Sequence, residues 1–204
     1  RALANYVKTL TGFNSDFDKS IRKEKDVNED VVAGFNLFMG KGNCGTCHFA
    51  PTFSGLVAPY FKESESEVLG MTATNDLKNP VLDADLGRFT SLVIKEKVNF
   101  YKHSFKTSTV RNIELTAPYM HNGAFETLDE VLEFYNQGGG KGLGLEVPNQ
   151  TLGEDKLNLT TKEINQLKTF MNALTDTTHL VNRPKKLPLF QTEELNNRVI
   201  GGKY

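Results

Sequence analysis

The 204 residues contain two cysteines, and they stand together in Cys44-Gly45-Thr46-Cys47-His48. Thiols three positions apart can each close a thioether to one haem vinyl group, and the adjacent His48 then reaches the iron from the proximal side. Two other chemistries use paired thiols. A dithiol redox pair belongs in a strand–helix–strand setting, which the residues around the motif do not provide. A zinc site needs two more ligands, and no further cysteine exists. The motif therefore reads as the attachment site of one c-type haem, leaving no thiol for a disulfide.

The rest of the composition narrows the function classes. With 38% hydrophobic and 24% charged residues, the chain can bury a core. Its formal net charge is -1, and no Lys/Arg cluster forms a nucleic-acid footprint. No run of about 18 apolar residues is present to span a bilayer. The first residue is not Met, and Arg1-Ala2-Leu3-Ala4-Asn5-Tyr6-Val7 reads as the middle of an amphipathic helix. We expect a processed or truncated piece of a longer protein.

Helix signals are local and strong. Asn28 can cap a helix over 28–40, with Glu29 and Asp30 at its positive end and Val32, Phe35, Leu37 and Phe38 as apolar contacts. Gly40 and Gly42 stop it just before the cysteine motif. Thr127 with Glu130, and Thr160 with Glu163, form capping-box patterns ahead of apolar residues at helical spacing. The first set comprises Leu128, Val131, Leu132, Phe134 and Tyr135, ending at Gly138-Gly139-Gly140; the second comprises Ile164, Leu167, Phe170, Met171 and Leu174. Strand signals are few. The expected fold class is all-α, with long connecting loops around one haem domain over 26–178. Residues 1–25 are expected to be a helix end and linker, and 179–204 an extended tail.

A six-coordinate electron-transfer haem needs a second axial ligand, usually Met or His. The chain has four methionines, and its other histidines are His103, His121 and His179. Met39 and Met171 fall in helices and read as core residues. Met71 follows Gly70 in a polar loop and stays a candidate. Met120 lies in a loop stiffened by Pro118 and closed by Gly123, a suitable way to present a thioether. His121 reads as a polar contact beside it, and His103 and His179 as solvent-facing. The glycine run 138–144 lacks the phosphate-loop pattern and reads as a flexible loop. Asp83 and Asp85 lack the calcium-loop spacing and read as turn formers.

The stretch Phe105-Lys106-Thr107-Ser108-Thr109-Val110-Arg111-Asn112-Ile113-Glu114-Leu115-Thr116-Ala117-Pro118-Tyr119-Met120-His121-Asn122-Gly123 resembles bacterial dihaem cytochrome c peroxidases and the related MauG proteins. Asp83-Ala84-Asp85-Leu86-Gly87-Arg88, Thr127-Leu128-Asp129-Glu130-Val131 with Tyr135-Asn136, and the opening Ala2, Asn5, Tyr6, Thr9, Leu10 with Asp16-Phe17-Asp18 agree. The resemblance runs to about Asp176. It implies a cytochrome-c-like fold and the C-terminal, electron-accepting domain of a protein with two haem domains. It assigns Met120 as the distal ligand, where MauG-type proteins have Tyr. It further implies Arg111 beside a haem propionate, and calcium held through Thr116 and Pro118. The expected partners are a small donor, cytochrome c or cupredoxin, a missing N-terminal haem domain and a second copy in a homodimer. The expected compartment is the bacterial periplasm.

The peroxide-binding haem, its acid–base Glu and the Trp between the haems belong to that other domain. Trp is absent here, so this chain alone is not expected to reduce peroxide. The rival readings are a stand-alone electron carrier, a MauG-like enzyme that oxidises a protein, and a haem sensor with a displaceable sixth ligand.

Overall fold

The computed structural model describes residues 1–9, 12–90, 99–178 and 189–197. The chain divides into two compact units, Phe13–Asp176 and a smaller one made of Arg1–Gly12 with Thr177–Tyr204. In the smaller unit the described elements are α1 (Ala2–Thr9) and, near the C-terminus, α7 (Glu193–Asn196). His179, and most of the tail expected over 179–204, lie outside the described residues.

The larger unit begins earlier than the expected boundary at 26. Helix α2 (Asp16–Ile21) opens with a capping box, in which Ser15 accepts from the Asp18 amide and the Asp18 carboxylate takes the Ser15 N–H. Within that first turn Phe17 is buried, and its amide bonds the Ala173 carbonyl at 3.0 Å. Residues 13–25 are thus part of the main unit rather than linker. A six-residue helix is too short to show a helical hydrophobic period, so only its caps mark it in the sequence.

Helix α3 (Glu29–Met39) is capped by Asn28, as expected. It buries Val31, Gly34 and Phe38, whereas Val32 stays 50% exposed. Helices α4 (Leu128–Asn136) and α6 (Thr161–Asn172) carry the two capping boxes expected at Thr127 and Thr160. The principal helix–helix contact is α3 on α6. It is close because Gly34 lies against the Gln166 carbonyl and the Phe170 Cβ, space a methyl group would invade. Gly34→Ala should therefore destabilise by about 2 kcal/mol, the usual cost of overpacking a tight contact. Urea unfolding checks this, and an unchanged midpoint would refute the close-approach argument.

Between these helices Phe17, Phe35, Phe38, Phe53 and Phe170 form one aromatic cluster. The contacting rings have centroids 5.1 to 6.0 Å apart, tilted or edge-on, the arrangement that ring quadrupoles favour. Leu167, Met171 and Leu174 extend this core from α6 and the turn after it.

Two regions differ from expectation. The loop-rich middle contains an antiparallel pair, β1 (Ser66–Val68) and β2 (Ser104–Lys106), with Glu67 opposite Phe105. Three residues per strand are too few to show alternation. The glycine run is not a flexible loop: Gly138 and Gly139 take positive φ, and α5 (Gly139–Gly142) follows. Gly140 packs on the Gly70 backbone and bonds the Leu69 carbonyl at 2.9 Å, an approach only glycine permits.

Candidate functional site

Helix α3 delivers the chain to the cysteine motif. After Gly40 the helix stops, and Asn43 takes a left-handed conformation (φ 54°) at the head of a 3-10 turn, Cys44–Thr46. The Cys47 and His48 amides both bond the Cys44 carbonyl, at 3.2 and 2.9 Å. With three residues per turn, side chains at i and i+3 eclipse, so the turn brings the thiols of Cys44 and Cys47 to one side. Both are free rather than joined in a disulfide. Burial pushes the Cys44 thiol up to about 12, and burial with the nearby Glu67 carboxylate raises Cys47.

His48 is oriented through its Nδ1. Its Nδ1 lies 3.2 Å from the Phe53 carbonyl, and with the Nδ1–H donated there the lone pair sits on Nε2. Burial lowers its pKa against the pull of the Phe53 and Ser108 backbones, favouring the neutral imidazole that a metal requires. Phe53 itself has φ 46°, a strained value for an aromatic residue. Its carbonyl also accepts the Val110 amide at 3.0 Å. Next to it, Thr109 donates to the Thr52 carbonyl at 2.6 Å. These bonds tie the loop after His48 to the segment that leads to Met120.

Met120 is half-buried against the core cluster at φ 70°. The Tyr119 amide bonds Phe125 at 2.7 Å and its hydroxyl donates to Ile113 at 3.1 Å. On the other side the Asn122 side chain donates to the Thr72 carbonyl at 3.0 Å. The remaining methionines occupy other settings. Met71 and Met171 are core residues, 4% and 5% exposed, so Met71 is not in an open polar loop. Met39, expected in the core, is 45% exposed, with its sulfur packed on Gly45.

Arg111 is engaged by partners within the protein. Its guanidinium makes a two-pronged pair with Asp18, at 2.9 and 2.8 Å, and donates to the Pro51 carbonyl at 3.0 and 2.8 Å. It also lies over the Phe13 and Phe53 rings, 4.5 and 5.5 Å from their centroids. The structure thus makes it an internal clasp between α2 and the loop after His48. Thr116 and Pro118 are exposed, and the Thr116 hydroxyl turns inward to the Ile113 carbonyl. Among the described residues no group of three or more His, Cys, Asp or Glu could hold a metal ion. Asp83 and Asp85 shape a turn, accepting the Asp85 and Gly87 amides at 2.7 and 2.8 Å. His103 is half-buried rather than solvent-facing, with Nδ1 2.9 Å from the Asp85 carbonyl.

Two residues join the site without a sequence signal. The Tyr135 phenol on α4 is pushed above its ordinary range by burial and by the neighbouring Cys44, Cys47 and Glu67. Glu67, on β1, also acts electrostatically on Cys47 and His48. Tyr135 reads in the sequence as one more apolar helix position, and Glu67 as a charge in a loop. Two thiols three positions apart, an imidazole oriented through Nδ1 and a thioether on a segment tied to the same loop are the kinds of donor that haem c uses.

No family model matches the sequence. The cytochrome-c peroxidase IdrP2 of Denitromonas iodatirespirans is 35% identical over 153 residues, which is 69% of this chain and 41% of that protein. The methylamine utilization protein MauG of Methylorubrum extorquens is 30% identical over 141 residues, 69% of this chain and 35% of its own. The chain belongs to the dihaem cytochrome c peroxidase and MauG family. In keeping with this, the solved structure of a MauG-like protein associated with microbial copper homeostasis superposes with a TM-score of 0.62 at 25% identity, covering 83% of this chain and 50% of the other. The chain spans half or less of the length of these dihaem-family relatives. The cofactor of this cytochrome-c-like member of the family is haem c, and its fold is mainly helical. No helix among the described residues is long and apolar enough to cross a membrane.

Proposed function

We propose that the chain is the C-terminal, electron-transferring haem domain of a periplasmic peroxidase of this family, with Cys44 and Cys47 as the thioether anchors and His48 and Met120 as the axial ligands. The observation that carries the reading is the posture of His48. Its Nδ1 is fixed on the Phe53 carbonyl beside two unpaired thiols, which leaves Nε2 for the iron.

Haem bound there supplies a one-electron couple. Cys44 and Cys47 anchor it, so that its distance to partners stays fixed between turnovers. His48 supplies a neutral nitrogen whose direction the Phe53 carbonyl sets. Met120 supplies an uncharged thioether, which favours the ferrous state and raises the potential. The buried Phe38 ring, 6.2 Å from the imidazole, and the buried Phe53 make one side of His48 apolar. A small donor, a cytochrome c or cupredoxin, would deliver electrons one at a time, and an N-terminal haem domain would use two of them, with two protons, to reduce each hydrogen peroxide to water. Calcium at the Thr116 and Pro118 carbonyls belongs to the same proposal, since their exposed turn could be shared with a second domain.

The test is an optical comparison of the haem-loaded chain with its Met120→Ala variant. The wild type should show the weak long-wavelength ferric band of a Met–iron bond, and the variant should lack it. The variant should also bind carbon monoxide quickly in the ferrous state, whereas the wild type binds it slowly. A high-spin wild-type spectrum that Met120→Ala leaves unchanged would exclude Met120 as a ligand and bring a sensor or catalytic role forward.

A further inference from the structure

Met120 sits at φ 70°, in the left-handed region. Non-glycine residues stay in that region only where the surroundings over-determine them. The chain before Met120 is pinned by Tyr119, and the chain after it by Asn122, whose side chain bonds the Thr72 carbonyl and the Asp83 carboxylate. The residue in between is His121.

Its ring lies on the Phe105 ring with centroids 3.5 Å apart and planes inclined by 12°. The side chain keeps 17% of its exposure although the backbone around it is open, so the imidazole is folded back onto the protein. Its Nε2 also stands 3.5 Å from an Asp83 oxygen, at the long end of hydrogen-bond range, so the imidazole is held by the ring face and, more loosely, at its edge. Phe105 is itself fixed. It lies in β2 opposite Glu67 of β1, and its ring edge abuts the Gly87 backbone, where a side chain would collide with the neighbouring Ser104 carbonyl. Through this stack the Met120 loop is fastened to the small sheet whose other strand carries Glu67, beside Cys47 and His48.

We propose that His121 is a positioning residue, whose stack on Phe105 locks the Met120 loop in the left-handed conformation that presents the thioether. The proposal rests on the reading of Met120 as the distal ligand. Without the stack the loop relaxes toward ordinary backbone values, and the fraction of molecules with the thioether in place falls. Loss of that fraction appears directly in the ferric long-wavelength band and in the rate at which carbon monoxide enters the sixth position.

The experiment uses the haem-loaded chain, with far-UV circular dichroism as the check on folding and Met120→Ala as the reference for a lost ligand. His121→Ala should reduce the long-wavelength band and speed carbon monoxide binding by about tenfold, the response of a tenfold larger fraction of molecules with the sixth position open. His121→Phe, which can still stack, should restore both. Phe105→Leu keeps the apolar volume of the partner but removes the stack, and should behave like His121→Ala; it serves as the test where His121→Ala does not fold. A wild-type band that persists in His121→Ala or in Phe105→Leu overturns the proposal, as does a His121→Phe variant as defective as His121→Ala. A wild type without the band overturns the ligand reading itself, so the two failures are told apart.

Discussion

Replacing both Cys44 and Cys47 with alanine will abolish every trace of haem that survives denaturation, while each single replacement leaves one covalent link. The 3-10 turn is the reason. Eclipsed i and i+3 side chains present two thiols to one edge of a flat ring, and neither is diverted into a disulfide. Haem staining of a denaturing gel, together with intact mass, reads the result. The double variant should be unstained and its mass that of the bare polypeptide. The single variants should stain, because one thioether suffices to hold the group through denaturation. Stain retained in the double variant, or a wild type with no covalent haem, would remove the basis for the whole functional reading. Removing His48 should act differently: attachment survives, since both thiols remain, but the proximal ligand and the low-spin spectrum are lost.

Arg111→Met will destabilise the fold by about 3 kcal/mol, the lower part of the range for breaking a buried ion pair. The lower part applies because the two side chains retain 10% and 11% exposure. The substitution leaves the Asp18 carboxylate half-desolvated and opposed only by the Ser15 amide and hydroxyl, at 3.0 and 2.7 Å. It also releases the Pro51 carbonyl in the loop that follows His48. Asp18 has a pH signature of its own. Burial pushes its carboxyl up, but the Arg111 pair and the Ser15 bonds outweigh this and hold it below its ordinary value. A carboxylate with a depressed folded pKa contributes its full stability above its unfolded pKa, about 4, and loses it as pH falls through the lower folded value. Urea midpoints should therefore fall on acidification below about pH 4, more steeply in the wild type than in Asp18→Asn. The double variant Asp18→Ala with Arg111→Met should recover part of the loss, since neither charge is then left unpaired. An Arg111→Met midpoint equal to that of the wild type would show that the clasp contributes nothing to stability.

What could be read from the residues alone was whatever closes within a few positions of itself. The capping boxes at Thr127 and Thr160, the Asn28 cap and the Cys44 to His48 turn satisfy their own backbone groups over three or four residues, so composition and spacing display them. The family was legible for the same reason, in the contiguous run through Met120. The choice of face on α3 was not: Val31 and Val32 are equivalent by type, and only the position of α6 makes one core and the other surface.

The tertiary structure decided the interactions that join distant parts of the chain. Asp18 and Arg111 are 93 positions apart, and nothing in either local stretch identifies the other as its partner. Without that knowledge an arginine on the approach to the ligand loop reads equally as a propionate contact. Gly138 to Gly140 look flexible until Gly70 is brought against them, because glycine's freedom of φ serves a mobile loop and a close packing contact alike. The sequence named the proposed donors, two thiols, an imidazole and a thioether. Their postures came from long-range contacts, the Phe53 carbonyl on His48 and the Phe105 ring on His121, because a side chain's direction is set by what it packs against.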